Sequence, residues 1–224
     1  MRMSVQADAL QIKEVCIMLP DIKIRCITNR HLAVQDYFDQ IRTIALAGPE
    51  AVIIREKDLK ESEYEQLAAR VIGICADYRV PCIVHGYPYA AVHLGAEAVH
   101  LPLWKLLDMP DWQKRLFSVI GASVHSKEEA LLAQSAGASY LTAGHVFATD
   151  CKQGVPPRGL SFLKEVCMAV QIPVYALGGI HAGNAKECIQ AGAAGVCVMS
   201  ECMKRADLPR GVFNHWGSFA VKHF

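Results

Sequence analysis

The chain has 224 residues, 52% hydrophobic and 20% charged, which is enough for one large core and short for two domains of ordinary size. Its 23 lysines and arginines against 22 aspartates and glutamates leave a formal charge of +1, so no global field draws it to nucleic acid or to an anionic membrane, and any anion site must be local. Nine cysteines without a CxxC pair fit buried thiols in a cytoplasmic protein, and no apolar run approaches the roughly 20 residues of a membrane span.

Residues 1–21 are expected to form an N-terminal extension, because charges at Arg2, Asp8, Lys13 and Glu14 argue against a signal peptide. IKIRCIT (22–28) reads as a strand running into the polar loop Asn29-Arg30-His31, and 34–47 follows with the spacing of a helix. AVIIREK (51–57) is the second strand and 59–78 the second helix. VPCIVHG (80–86) and AEAVHLP (96–102) are strands three and four around a very short helix, and a tryptophan-containing segment, 103–116, leads into strand five. The last four strands lie in 117–126, 139–154, 174–180 and 195–200, with helices at 127–136, 160–170, 184–191 and from 200 onward. Eight strands alternating with helices predict an α/β fold, a single (β/α)8 TIM barrel over 22–208, with 209–224 as a C-terminal tail. The recurring phrase of helix, Ala-Gly, strand, as in ECIQAGAAGVCV, reads as the left-handed cap ending each helix and carries no chemistry.

In a closed parallel barrel the active-site face lies at the strands' C-terminal ends. Gly178-Gly179 after strand seven and Met199-Ser200 after strand eight offer backbone N–H groups and a hydroxyl to a phosphate; the plainer reading of Gly-Gly is a tight turn. Arg55 and Lys57 share one face of strand two, and with Lys152 in the strand-six loop they can grip a second anionic group, although a surface charge run is the usual reading of such residues. His125 ends strand five, where an imidazole of near-neutral pKa can take and return a proton. Of the other histidines, His85 and His145 are expected on loops at the same face. No HxH or HExxH spacing occurs, so neither a metal site nor a cofactor is expected.

The strings IIREKD, GAEAVHL, GASVHS-KEEA, GHVFATDCKQG, ALGGI and GVCVMS, in this order over residues 22–202, resemble the thiamine phosphate synthase superfamily, and within it the TenI-type thiazole tautomerases. Departures from the synthase pattern suggest the branch. Synthases usually show Gln before the Arg-x-Lys pair, Asn-Asp after strand three and HLGQ-x-D after strand four, the two aspartates holding Mg²⁺; here Ile53, His85-Gly86 and Lys105 stand at those places. The resemblance implies an isomerase that aromatises a carboxylated thiazole phosphate. His125 would be the catalytic histidine, and Gly178, Gly179, Met199 and Ser200 would hold the phosphate. Arg55, Lys57 and Lys152 are assigned to the carboxylate end on physical grounds. The alternatives are a thiamine phosphate synthase coupling pyrimidine pyrophosphate to thiazole phosphate, and a non-catalytic regulatory relative. The expected partners are the small-molecule substrate and a second copy in a homodimer, with no nucleic acid and no membrane.

Overall fold

Eight strands pair in parallel and in chain order, and the last closes on the first. They are β1 (Lys23–Ile27), β2 (Ala51–Ile54), β3 (Cys82–His85), β4 (Ala98–Pro102), β5 (Val119–Val124), β6 (Tyr140–Gly144), β7 (Val174–Leu177) and β8 (Gly195–Val198). The computed structural model describes residues 21–152 and 154–216. Around the barrel run α1 (Tyr37–Leu46), α2 (Glu61–Asp77), α3 (Pro88–His93), α4 (Leu103–Asp108), α5 (Asp111–Lys114), α6 (Lys127–Ser135), α7 (Gly159–Ala169), α8 (Ala185–Gln190) and α9 (Ser200–Met203). The expected single-domain (β/α)8 barrel is therefore the observed fold.

The apolar strings separate into two sets by the two-residue period of a strand. Outward residues such as Ile24, Val52, Val84, Leu101 and Leu141 join the helices in one large core, whereas Ile27, Ile53, Ile83, Tyr140, Tyr175 and Cys197 form a smaller core inside the barrel. The barrel's lower end is closed by a polar group. The Arg25 guanidinium lies 3.8 Å from the Tyr175 ring centroid and 4.1 Å from that of Tyr140, donates to Glu50 at 2.8 Å and to the Tyr175 hydroxyl at 2.9 Å. Burial works against the Glu50 charge, but the hydrogen bonds from Tyr175 and Arg25 outweigh it and hold its carboxyl below the ordinary value.

The element boundaries add detail to the sequence reading in three places. The 103–116 segment is two helices, α4 and α5, because Pro110 lacks the N–H that would continue α4. The last helix is a single turn of four residues, Ser200–Met203. Residues 209–216, at the start of the expected C-terminal tail, pack against the barrel: Gly211 N–H donates to Leu46 O, Phe213 N–H to Ala47 O, and Phe213 and Trp216 are buried. The rest of the tail, 217–224, and the extension up to residue 20 lie outside the described residues.

The free-thiol expectation also needs correction. Cys26 on β1 and Cys202 on α9 are joined as a disulfide across 176 residues of sequence. Closure of the barrel sets β8 beside β1, and α9, which follows β8, returns over β1. No helix among the described residues is long and apolar enough to cross a membrane.

The fully buried Tyr64 on α2 stitches β2 to β3: its hydroxyl donates to Ile54 O at 2.6 Å and accepts from His85 N–H at 3.0 Å. Tyr64→Phe leaves both backbone groups unpaired without changing the packing shape, and is expected to cost about 1–3 kcal/mol of stability. Urea denaturation checks this as a lower midpoint at unchanged slope.

Candidate active site

One cavity of about 490 Å³ opens at the C-terminal ends of the strands, and all eight residues singled out from the sequence line it: Arg55, Lys57, His125, Lys152, Gly178, Gly179, Met199 and Ser200. Its size suits a small-molecule ligand.

Arg55 and Lys57 continue the inward row of β2, past Ile53, so both face the cavity. Glu56 between them turns the other way. It is 2% exposed and accepts from the Thr28 hydroxyl at 2.7 Å and from Arg30 N–H at 3.1 Å, which fixes the β1 loop to the end of β2. Lys152 arrives from a 3-10 turn, Asp150–Lys152, beyond β6. Burial, then the like charges of Arg55 and Lys152, hold Lys57 below its ordinary value; burial also lowers Arg55. None of the three cations has an ion-pair partner among the described residues. Three mutually repelling cations at one mouth are relieved by an anion.

His125 follows β5 and lines the cavity, partly buried. Its backbone N–H donates to the Glu129 carboxylate at 2.6 Å, while Ser126 caps α6 by accepting from Glu129 N–H at 3.1 Å. This reciprocal cap fixes where the strand stops and the helix starts. The ring's Nδ1 lies 2.7 Å from Gly144 O. A carbonyl only accepts, so Nδ1 carries the hydrogen and Nε2 of the neutral ring keeps its lone pair. Among the described residues Nε2 has no hydrogen-bond partner, which leaves a fixed ring with one basic nitrogen free.

Gly178 and Gly179 both have positive φ, +101° and +64°. A Cβ at Gly178 would strike His145, and one at Gly179 would strike Phe147 and the Ala148 carbonyl, so the tight turn and the anion loop coincide: only glycine lets the β7 loop lie against the β6 loop. The N–H groups of Gly179, Ile180, Ser200 and Glu201 donate to no partner among the described residues. With α9 a single turn, any anion held here rests on these individual N–H groups and the Ser200 hydroxyl more than on a helix dipole.

Both other histidines expected at this face line the cavity. His145 is on the β6 loop but buried, and its Nε2 lies 3.2 Å from Val155 O, which ties that loop down. His85 is the last residue of β3, also buried. His100, passed over in the sequence, stands inside the barrel opposite His85 in register. Its Nδ1 meets the Tyr140 hydroxyl and its Nε2 the Ser123 hydroxyl, each at 2.8 Å. The signal that finds it is strand parity: on β4, His100 shares the inward row with Ala98 and Pro102.

The positions at which the resemblance would put two Mg²⁺-binding aspartates hold Gly86 and Lys105, and the Lys105 ammonium donates to Gly86 O at 2.6 Å. Neither residue lines the cavity; both belong to a separate surface groove with Tyr87 and Trp104. No group of three or more His, Cys, Asp or Glu among the described residues is arranged to hold a metal. The donor set at these positions does not fit Mg²⁺, which needs oxygen ligands rather than an ammonium.

Comparison with known proteins agrees with this architecture. The family model described as thiamine monophosphate synthase matches residues 24–202. A thiamine-phosphate synthase of Desulfitobacterium hafniense is 32% identical over 211 residues, 89% of this chain and 99% of that protein. Thiamine-phosphate synthase 2 of Streptococcus pneumoniae is 29% identical over 195 residues, 84% of this chain and 90% of that one. The solved thiamine phosphate pyrophosphorylase from Pyrococcus furiosus superposes with a TM-score of 0.73 at 32% identity, covering 88% of this chain and 94% of that one. These names favour the synthase alternative over the isomerase expected from sequence. With the matched model spanning the barrel from β1 to α9, the chain belongs to the thiamine monophosphate synthase family.

Proposed function

We propose that within this family the chain aromatises a carboxylated thiazole phosphate by proton transfer. The observation that carries this reading is the Lys105–Gly86 hydrogen bond, where a pyrophosphate-handling enzyme of the family would need carboxylates for Mg²⁺. The residues that remain suit a reaction without an ionic leaving group. The loops after β7 and β8 take the phosphate, Arg55, Lys57 and Lys152 take the carboxylate, and His125 removes the ring C2 proton with Nε2 and returns it to the exocyclic carbon. Gly144 O, at Nδ1, orients the ring and steadies the imidazolium formed between the two transfers. Aromatisation supplies the driving force, so one base in correct position is sufficient.

Thiamine phosphate synthesis is the second reading, and the names of the relatives favour it. The decisive measurement offers purified protein the pyrimidine pyrophosphate and the thiazole phosphate with Mg²⁺, and separately the non-aromatic thiazole carboxylate phosphate. Aromatisation without Mg²⁺ and coupling no faster than the uncatalysed background are expected. Mg²⁺-stimulated thiamine phosphate formation at turnover rates would replace the isomerase by the transferase.

A further inference from the structure

His85 has its ring inside the barrel, 8% exposed, on the wall of the cavity. Its backbone N–H is taken by the Tyr64 hydroxyl, yet beyond its own backbone no described residue hydrogen-bonds its ring nitrogens. A buried imidazole is normally hydrogen-bonded, and one left open toward a cavity is completed by what enters it. The ring is also held in place. It stacks on His100, with centroids 5.4 Å apart and planes inclined by 23°. Both nitrogens of His100 are engaged by Tyr140 and Ser123, and a Cβ at Gly121 would displace both Tyr140 and His100. A glycine in the middle of β5 thus makes room for the pair that backs His85.

We propose that His85 is a positioning residue that hydrogen-bonds the ring edge of a heteroaromatic phosphate from the β3 side of the cavity, two strands from His125 at the end of β5. Burial, then the charges of Arg55 and Lys57, with Lys105 adding to them, push its imidazole down to about 3, and its remaining ring neighbour, His100, is kept neutral by burial. His85 therefore presents one N–H and one lone pair across the working pH range. The cations attract negative charge with little directional preference; a neutral, stacked imidazole adds direction and selects a ring heteroatom over a carbon edge. The inference rests on the thiazole phosphate reading for its ligand class, but not on which reaction follows, since aromatisation and coupling share that ring.

The test measures binding by calorimetry for thiazole phosphate, for benzyl phosphate as a ring without heteroatoms, and for inorganic phosphate, in wild type, His85→Phe and His85→Asn. Phenylalanine keeps the volume and the stack on His100, and asparagine restores a donor. Wild type is expected to prefer thiazole phosphate over benzyl phosphate by about tenfold, the worth of one well-placed hydrogen bond. The preference should vanish in His85→Phe and return in part in His85→Asn, with inorganic phosphate affinity the same in all three. Retained preference in His85→Phe, equal loss for all three ligands, or a wild type without preference would each overturn the proposal. A wild type that discriminates the rings through His85 but aromatises nothing would sink the isomerase reading alone.

Discussion

His125→Gln is expected to lower the aromatisation rate by about 10²-fold or more while leaving thiazole phosphate affinity nearly unchanged. Glutamine is close in reach and can still hydrogen-bond to Gly144 O, so the end of β5 and the cap of α6 keep their geometry. What it lacks is the basic nitrogen left over when Nδ1 is engaged. Because the phosphate and carboxylate contacts lie on other strands, the loss should fall on kcat rather than KM, as for an interaction made only in the transition state. Following turnover with substrate deuterated at C2 separates two parts of the claim. Full activity in the variant would remove His125 from the chemistry. Complete loss of label in the wild-type product would keep His125 but discard transfer by a single base, and would turn attention to water admitted through the cavity.

The fold was legible because a buried parallel strand and a returning helix leave different periodicities in the chain, and all eight strands lie wholly inside the segments read from them. On β4, what escaped was the inward row. Parity was applied at the rim, to Arg55 and Lys57, but not carried one step down, where it would have placed His100 and His85 on facing inward rows. The Arg25–Glu50–Tyr175 group was invisible for a different reason: its members are 25 and 125 residues from Glu50, and only closure of the barrel brings them together. The Cys26–Cys202 pair has the same origin. The candidate anion loop was suggested by Gly178-Gly179 together with Met199-Ser200, whereas the contact that forces both glycines, the β6 loop at His145 to Ala148, is tertiary.

That contact makes Gly179→Asp the most damaging single change expected at the phosphate end. At φ +64° the backbone is already in the region L-residues avoid, and a Cβ would meet Phe147 and the Ala148 carbonyl, so the β7 loop must move away from the β6 loop. Moving it turns the Gly179 and Ile180 N–H groups off the anion, and the new carboxylate adds a like charge beside it. Each charge-assisted bond lost is worth about tenfold in affinity, so inorganic phosphate and thiazole phosphate should both bind about 10²-fold more weakly. Thermal unfolding of the ligand-free variant provides the control: Gly179 lies in neither apolar core, but Ile180 beside it is buried in the larger one, so a modest fall in melting temperature is expected and binding is compared well below it. Ser200→Ala, which removes one hydroxyl and leaves every N–H in place, should lose far less. If Gly179→Asp binds phosphate as wild type does, the anion is held by Arg55, Lys57 and Lys152 instead, and the substrate must lie the other way round in the cavity, with its carboxylate rather than its phosphate toward β7 and β8.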